Sequence, residues 1–91
     1  MTNVIITLKV TPNDPEADLE KITEKIKEII KEFGGTYLVK EIKPFAFGLN
    51  ELYIRFIYPD KEFNEEGFIE KVNSIEGVGG SEIVSVSLSQ I

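Results

Sequence analysis

The regular structure of the chain begins with the run Val4-Ile5-Ile6-Thr7-Leu8-Lys9-Val10. Every second residue from Val4 to Val10 is apolar, and Thr7 and Lys9 fall between these apolar positions. Side chains of a strand point alternately to its two faces, so this pattern predicts a strand with one strongly apolar face.

A helix is predicted after this strand, over residues 15–33. Asp14 is a suitable N-cap, and Pro15 suits the first helical position. Gly34 and Gly35 then supply the left-handed conformation that commonly ends a helix. The apolar residues of the segment recur at spacings of three and four, which is typical of an amphipathic helix: Leu19, Ile22, Ile26, Ile29 and Phe33.

Two further strands follow the helix. Residues 36–43 form the weaker one, because charged residues interrupt its apolar pattern, and such charge is typical of an edge strand. Residues 49–58 form the stronger one, with Leu52, Ile54, Phe56 and Tyr58 on one face. The connection between them is short, so the two strands are predicted to pair as an antiparallel hairpin.

The last third of the sequence predicts a second helix and a fourth strand. Asn64 is the expected N-cap, and Phe68, Val72 and Ile75 mark the buried stripe of the helix. A turn is expected at Gly77, Gly79 and Gly80. The strand after it places Val84, Val86 and Leu88 on one face and serines on the other.

The predicted element order is therefore βαββαβ. Two βαβ units with right-handed crossovers form an α+β, ferredoxin-like plait, in which a four-stranded antiparallel sheet carries both helices on one face. We expect a single domain over residues 1–91, with the first and third strands at the centre of the sheet. The opposite sheet face would be uncovered and would carry Ile5, Thr7, Lys9, Tyr53, Arg55, Ile57, Ser85 and Ser87.

Composition excludes several classes of function. The 91 residues include no cysteine and no histidine, which argues against thiolate metal sites and ordinary hydrolytic catalysis. A net charge of −6 disfavours nucleic-acid binding. No apolar run is long enough to cross a membrane, and the first residues lack a signal peptide. We expect a cytoplasmic protein with no catalytic residues, no bound metal and no cofactor.

The connection Pro44-Phe45-Ala46-Phe47-Gly48-Leu49 differs from an ordinary turn. Turns are usually polar, because apolar groups in them expose surface to water. Either both phenylalanine side chains pack against the edge of the core, or one of them projects as a hydrophobic anchor for a partner, where aromatic residues commonly dominate binding.

The order of these segments resembles the exchange domains of the elongation factor 1-beta family, and its archaeal members in particular. The strongest likeness is the run Ile42-Lys43-Pro44-Phe45-Ala46-Phe47-Gly48-Leu49-Asn50-Glu51-Leu52. The opening strand followed by Thr11-Pro12 and acidic residues is similar too, as is Ile75-Glu76-Gly77-Val78 before the final strand. The resemblance covers essentially the whole chain.

The resemblance implies a guanine-nucleotide exchange factor that acts on the GTPase elongation factor 1-alpha. It implies that Phe47 wedges against the GTPase near its magnesium and switch region, and that Gly48 gives the loop its backbone freedom. We expect Phe45, Phe47, Gly48 and Gln90 to contact the partner. Eukaryotic members carry a lysine just before the C-terminal residue, where this chain has Gln90.

Two other functions remain open at this point, because the plait hosts many unrelated activities. The first is an ACT-like regulatory domain, which would bind a small molecule between the helices of paired subunits. The second is an assembly subunit without exchange activity.

Overall fold

The computed structural model describes residues 3–59 and 63–89, apart from the side chains of Phe47 and Ser89. Its elements follow the predicted order, and a single 3₁₀ turn, Ala46–Gly48, lies between the second and third strands. The strands and helices are β1 (Asn3–Pro12), α1 (Leu19–Glu32), β2 (Thr36–Pro44), β3 (Asn50–Pro59), α2 (Glu65–Asn73) and β4 (Val78–Ser89).

The four strands form one antiparallel sheet in the order β2-β3-β1-β4. The predicted plait is thus confirmed, with β1 and β3 at its centre and the charged strand β2 at one edge. The registers Lys9↔Tyr53 and Thr7↔Arg55 place these residues on a common face. That face is the uncovered one of the prediction, because Leu8 and Ile54, one position along each strand, are fully buried on the other.

The core fills the space between the sheet and the two helices. Ile6, Leu8 and Val10 of β1 contribute to it, and their β3 neighbours are equally buried. A cluster of phenylalanine rings closes the core at one end, with Phe68 of α2 packed edge-on to Phe33 at a centroid distance of 5.3 Å. From the helices, the core receives Ile22, Ile26, Ile29, Ile30, Phe68 and Val72.

Helix α1 begins at Leu19, so the predicted start at Pro15 is wrong. Oδ1 of Asp18 accepts hydrogen bonds from the amides of Glu20 at 3.1 Å and Lys21 at 3.2 Å, which makes Asp18 the N-cap. Asp14 instead closes a separate turn, in which its carboxylate accepts from the Glu16 amide at 2.7 Å. The chain therefore makes an extra turn before the helix begins.

Helix α2 begins where the sequence predicts. The side chain of Asn64 accepts a hydrogen bond from the amide of Gly67 at 3.0 Å and so caps the first turn. Neither helix in the described part of the chain is long and apolar enough to span a membrane.

Strand β4 begins earlier than the sequence predicts. Of the three glycines only Gly77 lies in the turn, with φ +98°, while Gly79 and Gly80 already belong to the strand. At the other end Val86 and Leu88 lie opposite Ile6 and Val4, on the helix side of the sheet. Their side chains are nevertheless 61% and 68% exposed, so the helices do not cover this end of the strand.

Candidate functional site at the β2–β3 loop

The loop between β2 and β3 is a short, hydrogen-bonded turn. The amide of Phe45 donates to the carbonyl oxygen of Leu49 at 2.7 Å, and the amide of Leu49 donates to that of Ala46 at 3.3 Å. Gly48 has φ +78°, a conformation that residues with a Cβ rarely adopt. A glycine at position 48 therefore allows the chain to reverse its direction at the 3₁₀ turn.

Phe45 presents an apolar side chain to solvent at this loop. It is 54% exposed, so the reading in which both phenylalanines are sealed against the core does not hold. The side chain of Phe47 lies outside the described residues, and its predicted contact with a partner stays a prediction. An exposed aromatic ring beside a tight turn is a suitable anchor for a protein partner.

The loop projects beyond the centre of the sheet. The pairs between β1 and β3 end at Val10↔Leu52, whereas those between β2 and β3 continue to Lys43↔Glu51 and Pro44↔Asn50. The tip of this hairpin, residues 44–50, is therefore paired along one side only.

A network of polar side chains lies at the base of this tip, on the uncovered face of the sheet. The carboxylate of Glu51 accepts hydrogen bonds from Oγ1 of Thr11 at 3.2 Å and from the hydroxyl of Tyr53 at 3.4 Å. Nζ of Lys9 lies 3.8 Å from the same carboxylate and 2.9 Å from Oε1 of Glu82. The network thus connects β1, β3 and β4.

The network favours the protonated form of Lys9. The hydrogen bond to Glu82, together with the negative charge of that carboxylate, raises the pKa of Lys9 above its ordinary value. Lys43 of β2 extends the positive charge toward the tip, with Nζ 4.9 Å from the centroid of the Tyr53 ring. Opposite charges and an aromatic ring are therefore arranged side by side behind the loop.

The C-terminal end of β4 lies far from the loop. Ser89 pairs with Asn3, at the start of β1, whereas the tip of the hairpin follows the last pair between β1 and β3, near the other end of β1. The ten residues of β1 separate the two places by roughly 30 Å at the usual rise per residue. Gln90 itself lies outside the described residues. Phe45 and Gly48 lie in the same loop, whereas the strand that leads to Gln90 ends at the opposite end of the sheet.

An open groove runs along α1 toward the turn at residues 74–77. Charged side chains dominate its lining, among them Asp14, Glu16 and Glu24. Sites for small metabolites are usually enclosed and mainly apolar. The groove therefore gives no support to the regulatory-domain alternative.

Comparison with known proteins identifies the family. The model of the EF-1 guanine nucleotide exchange domain matches residues 5–88. The chain belongs to this family. The matched region of the exchange domain includes all of the projecting tip and most of β1 and β4.

Archaeal proteins named elongation factor 1-beta are similar to this exchange domain over nearly its whole length. The protein from Nanoarchaeum equitans is 43% identical over 77 residues, which cover 85% of this chain and 94% of that relative. The protein from Archaeoglobus fulgidus is 36% identical over 88 residues, covering 97% and 99%. The protein from Methanothermobacter thermautotrophicus is 39% identical over 87 residues, covering 94% and 96%.

Sequence reasoning did not find the network around Glu51. The signal was present, because Glu51 has the same parity along its strand as Tyr53 and Arg55, which were assigned to the uncovered face. Thr11 and Lys9 have the matching parity in β1. Recognising the network needed the register between the two strands, which the alternation alone does not define.

Proposed function

We propose that this exchange domain promotes the release of GDP from elongation factor 1-alpha. The family match over residues 5–88 is the observation that carries the proposal. We propose further that the protein works in the cytoplasm, where translation elongation takes place, and that it makes and breaks no covalent bond. A chain without histidine or cysteine suits an action that requires only binding.

Exchange of this kind follows from linkage between two binding equilibria. If the exchange domain binds the nucleotide-free GTPase more tightly than the GDP-bound form, it weakens GDP binding by the same factor. Shifting a population from 1:99 to 99:1 needs a difference in affinity of about 5.5 kcal/mol. The contacts that matter are therefore those that form only after the nucleotide site has opened.

The projecting loop is the part of the surface that we assign to this contact. Phe45 supplies an exposed ring, and Gly48 permits the turn that presents it. We propose that Phe47 wedges against the GTPase near its magnesium site and switch region. Burying one aromatic side chain in a pocket of the partner is worth about 1.5–3 kcal/mol, a substantial share of the required difference.

The tail contributes less in this proposal. An uncharged Gln90 cannot compete with Mg²⁺ by charge, unlike the lysine of the eukaryotic members. The end of β4 also lies roughly 30 Å from the loop, at the opposite end of the sheet. We therefore assign displacement mainly to the loop.

The test is the release of fluorescent GDP from the cognate elongation factor 1-alpha, measured after adding excess unlabelled nucleotide. We expect the chain to accelerate release, Phe47→Ala to remove most of this acceleration, and Gln90→Ala to retain most of it. Val84→Ala is the matched control, because Val84 is an exposed apolar residue of β4, the edge of the sheet opposite the loop hairpin.

Each outcome decides a separate part of the proposal. Unchanged release with the wild-type chain would refute the exchange activity. Full activity of Phe47→Ala would refute the role of that ring, and loss of activity in Gln90→Ala would move the main contact to the tail. Self-association together with a bound metabolite, without any effect on GDP, would favour the ACT-like alternative.

A further inference from the structure

Glu51 is a buried carboxylate that the proposed contact does not use. Its exposed fraction is 7%, and among the residues that the structure describes no other charged residue is buried. Placing a charge away from water costs free energy unless hydrogen bonds compensate for it. A buried glutamate at the first position behind a binding loop therefore calls for a role.

The position of Glu51 relative to the strand pairs suggests that role. The backbone pairs between β1 and β3 stop at Val10↔Leu52, one residue before Glu51. At the next position the two strands are connected through side chains, because Oγ1 of Thr11 donates to Oε2 of Glu51 at 3.2 Å. This contact continues the connection between β1 and β3 where the ladder ends.

Two further side chains reinforce the contact. The Tyr53 hydroxyl donates to Oε1 of Glu51, so both oxygens of the carboxylate accept a hydrogen bond. Lys9 lies 3.8 Å from Oε2 and is itself held by Glu82 of β4. Hydrogen bonds to a charged group are stronger than those between neutral groups.

We infer that Glu51 is a positioning residue, which, together with Thr11, fixes the direction in which the projecting loop leaves the sheet. This inference rests on the proposed exchange function. Residues 44–50 are paired on one side only, so the free side depends on this side-chain connection. Without the contact between Thr11 and Glu51, the tip could change its direction at the start of β3. The partner would then have to order the loop on binding.

Two substitutions of Thr11 separate positioning from packing. Thr11→Val keeps the shape but removes the donor, and Thr11→Ser keeps the donor but removes a methyl group. If the hydrogen bond fixes the loop, the valine variant loses function and the serine variant retains most of it. If Thr11 acts only by packing, the order is reversed. Glu51→Gln is the third variant, because it replaces one acceptor oxygen by a donor.

The first measurement is hydrogen exchange at the amide of Phe45, which donates to Leu49 within the loop. We expect roughly tenfold faster exchange in Thr11→Val and Glu51→Gln, the factor that corresponds to losing one charge-assisted hydrogen bond. Amides of the buried strand residues should keep their wild-type rates. Unchanged exchange at Phe45 in Thr11→Val would overturn the inference, whether or not Glu51→Gln folds.

The second measurement is the concentration of the chain that gives half-maximal acceleration of GDP release. We expect this concentration to rise roughly tenfold in the same two variants, with an unchanged maximal rate, because loop ordering precedes the contact. Glu70→Gln, which removes an exposed charge from α2, is the control. If the wild-type chain itself has no effect on GDP release, the proposed function fails, while the amide measurement still decides the role of Glu51.

Discussion

The ammonium group of Lys40 lies 2.6 Å from Oε1 of Glu20, and this contact ties the edge strand β2 to helix α1. The two residues are twenty positions apart in the chain, and Lys40 lies opposite the buried Ile54 on the helix side of the sheet. The hydrogen bond that Lys40 donates to Glu20 raises the pKa of Lys40 above its ordinary value of 10.5.

Because of this contact, the free energy of unfolding depends on pH in the alkaline range. Because the pKa of Lys40 is raised in the folded state, its contribution is fully present below pH 10.5 and is lost as the pH rises through the folded-state value. We expect Glu20→Gln to be less stable than the wild type at pH 8. The difference should disappear once Lys40 is deprotonated in both proteins. Urea titrations at a series of pH values check this, and a difference that persists at the alkaline end would contradict it.

Removing the exposed ring of Phe45 should separate binding from folding. Phe45 is 54% exposed, so Phe45→Ala should change the free energy of unfolding by no more than about 0.5 kcal/mol. We expect slower GDP release from elongation factor 1-alpha at the same concentration of the chain. Val86→Ala, which shortens an even more exposed side chain of β4, is the control. Equal activity of Phe45→Ala and the control would exclude Phe45 from the contact.

Gly48 and Gly34 form a matched pair for the role of loop conformation. Both have positive φ, +78° and +91°, and an added Cβ would meet no atom within 4 Å at either place. Substitution by alanine should therefore cost about 1–2 kcal/mol of backbone strain in each case. We expect Gly48→Ala to slow GDP release and Gly34→Ala, at the end of α1, to leave it unchanged. Equal effects on release would show that lost stability alone is responsible.

The centre of the aromatic cluster should be the most sensitive position for stability. Phe68 is fully buried, with ring centroids 5.2 Å from Phe56 and 5.3 Å from both Phe33 and Phe63. Phe68→Ala should lower the free energy of unfolding by about 3–5 kcal/mol. Denaturant unfolding followed by circular dichroism measures this value. A loss below about 1 kcal/mol would mean that the helix α2 packs less tightly than the structure shows.

Capping of α1 gives a further comparison between two aspartates. Asp18→Ala should cost about 1 kcal/mol, because the amides of Glu20 and Lys21 lose their acceptor. Asp14→Ala should cost less, since Asp14 accepts from Glu16 in the preceding turn. Thermal unfolding of the two variants under identical conditions distinguishes them. A larger loss in Asp14→Ala would place the effective cap at the position that the sequence alone suggested.

The fold was predictable because its signals are local and periodic. Alternation in β1 and β3, the apolar stripe of α1 and the cap at Asn64 each follow from neighbouring residues. The start of α1 was not, because Asp14 and Asp18 are both suitable caps and Pro15 fits a turn as well as a first helical position. The choice depends on how the chain leaves β1, which is a tertiary property.

The candidate site was predictable only in its chemistry. The sequence singled out the loop but left open whether either ring is exposed, and the structure shows that Phe45 is. How far the hairpin projects depends on where β1 stops pairing with β3, and no local pattern records that point. Contacts of Phe47 and Gln90 stay predictions, since neither side chain is among those described.

The one-sided pairing of the hairpin tip separates the residues that maintain the fold from those that meet the partner. The buried rungs of the central strands end at Val10 and Leu52, before the tip begins. Substitutions that change the contacts of residues 44–50 therefore leave these buried rungs in place. Replacing residues 44–50 of another family member by this segment would transfer recognition of the GTPase. The recipient would need a contact equivalent to that between Thr11 and Glu51 at the base of the segment.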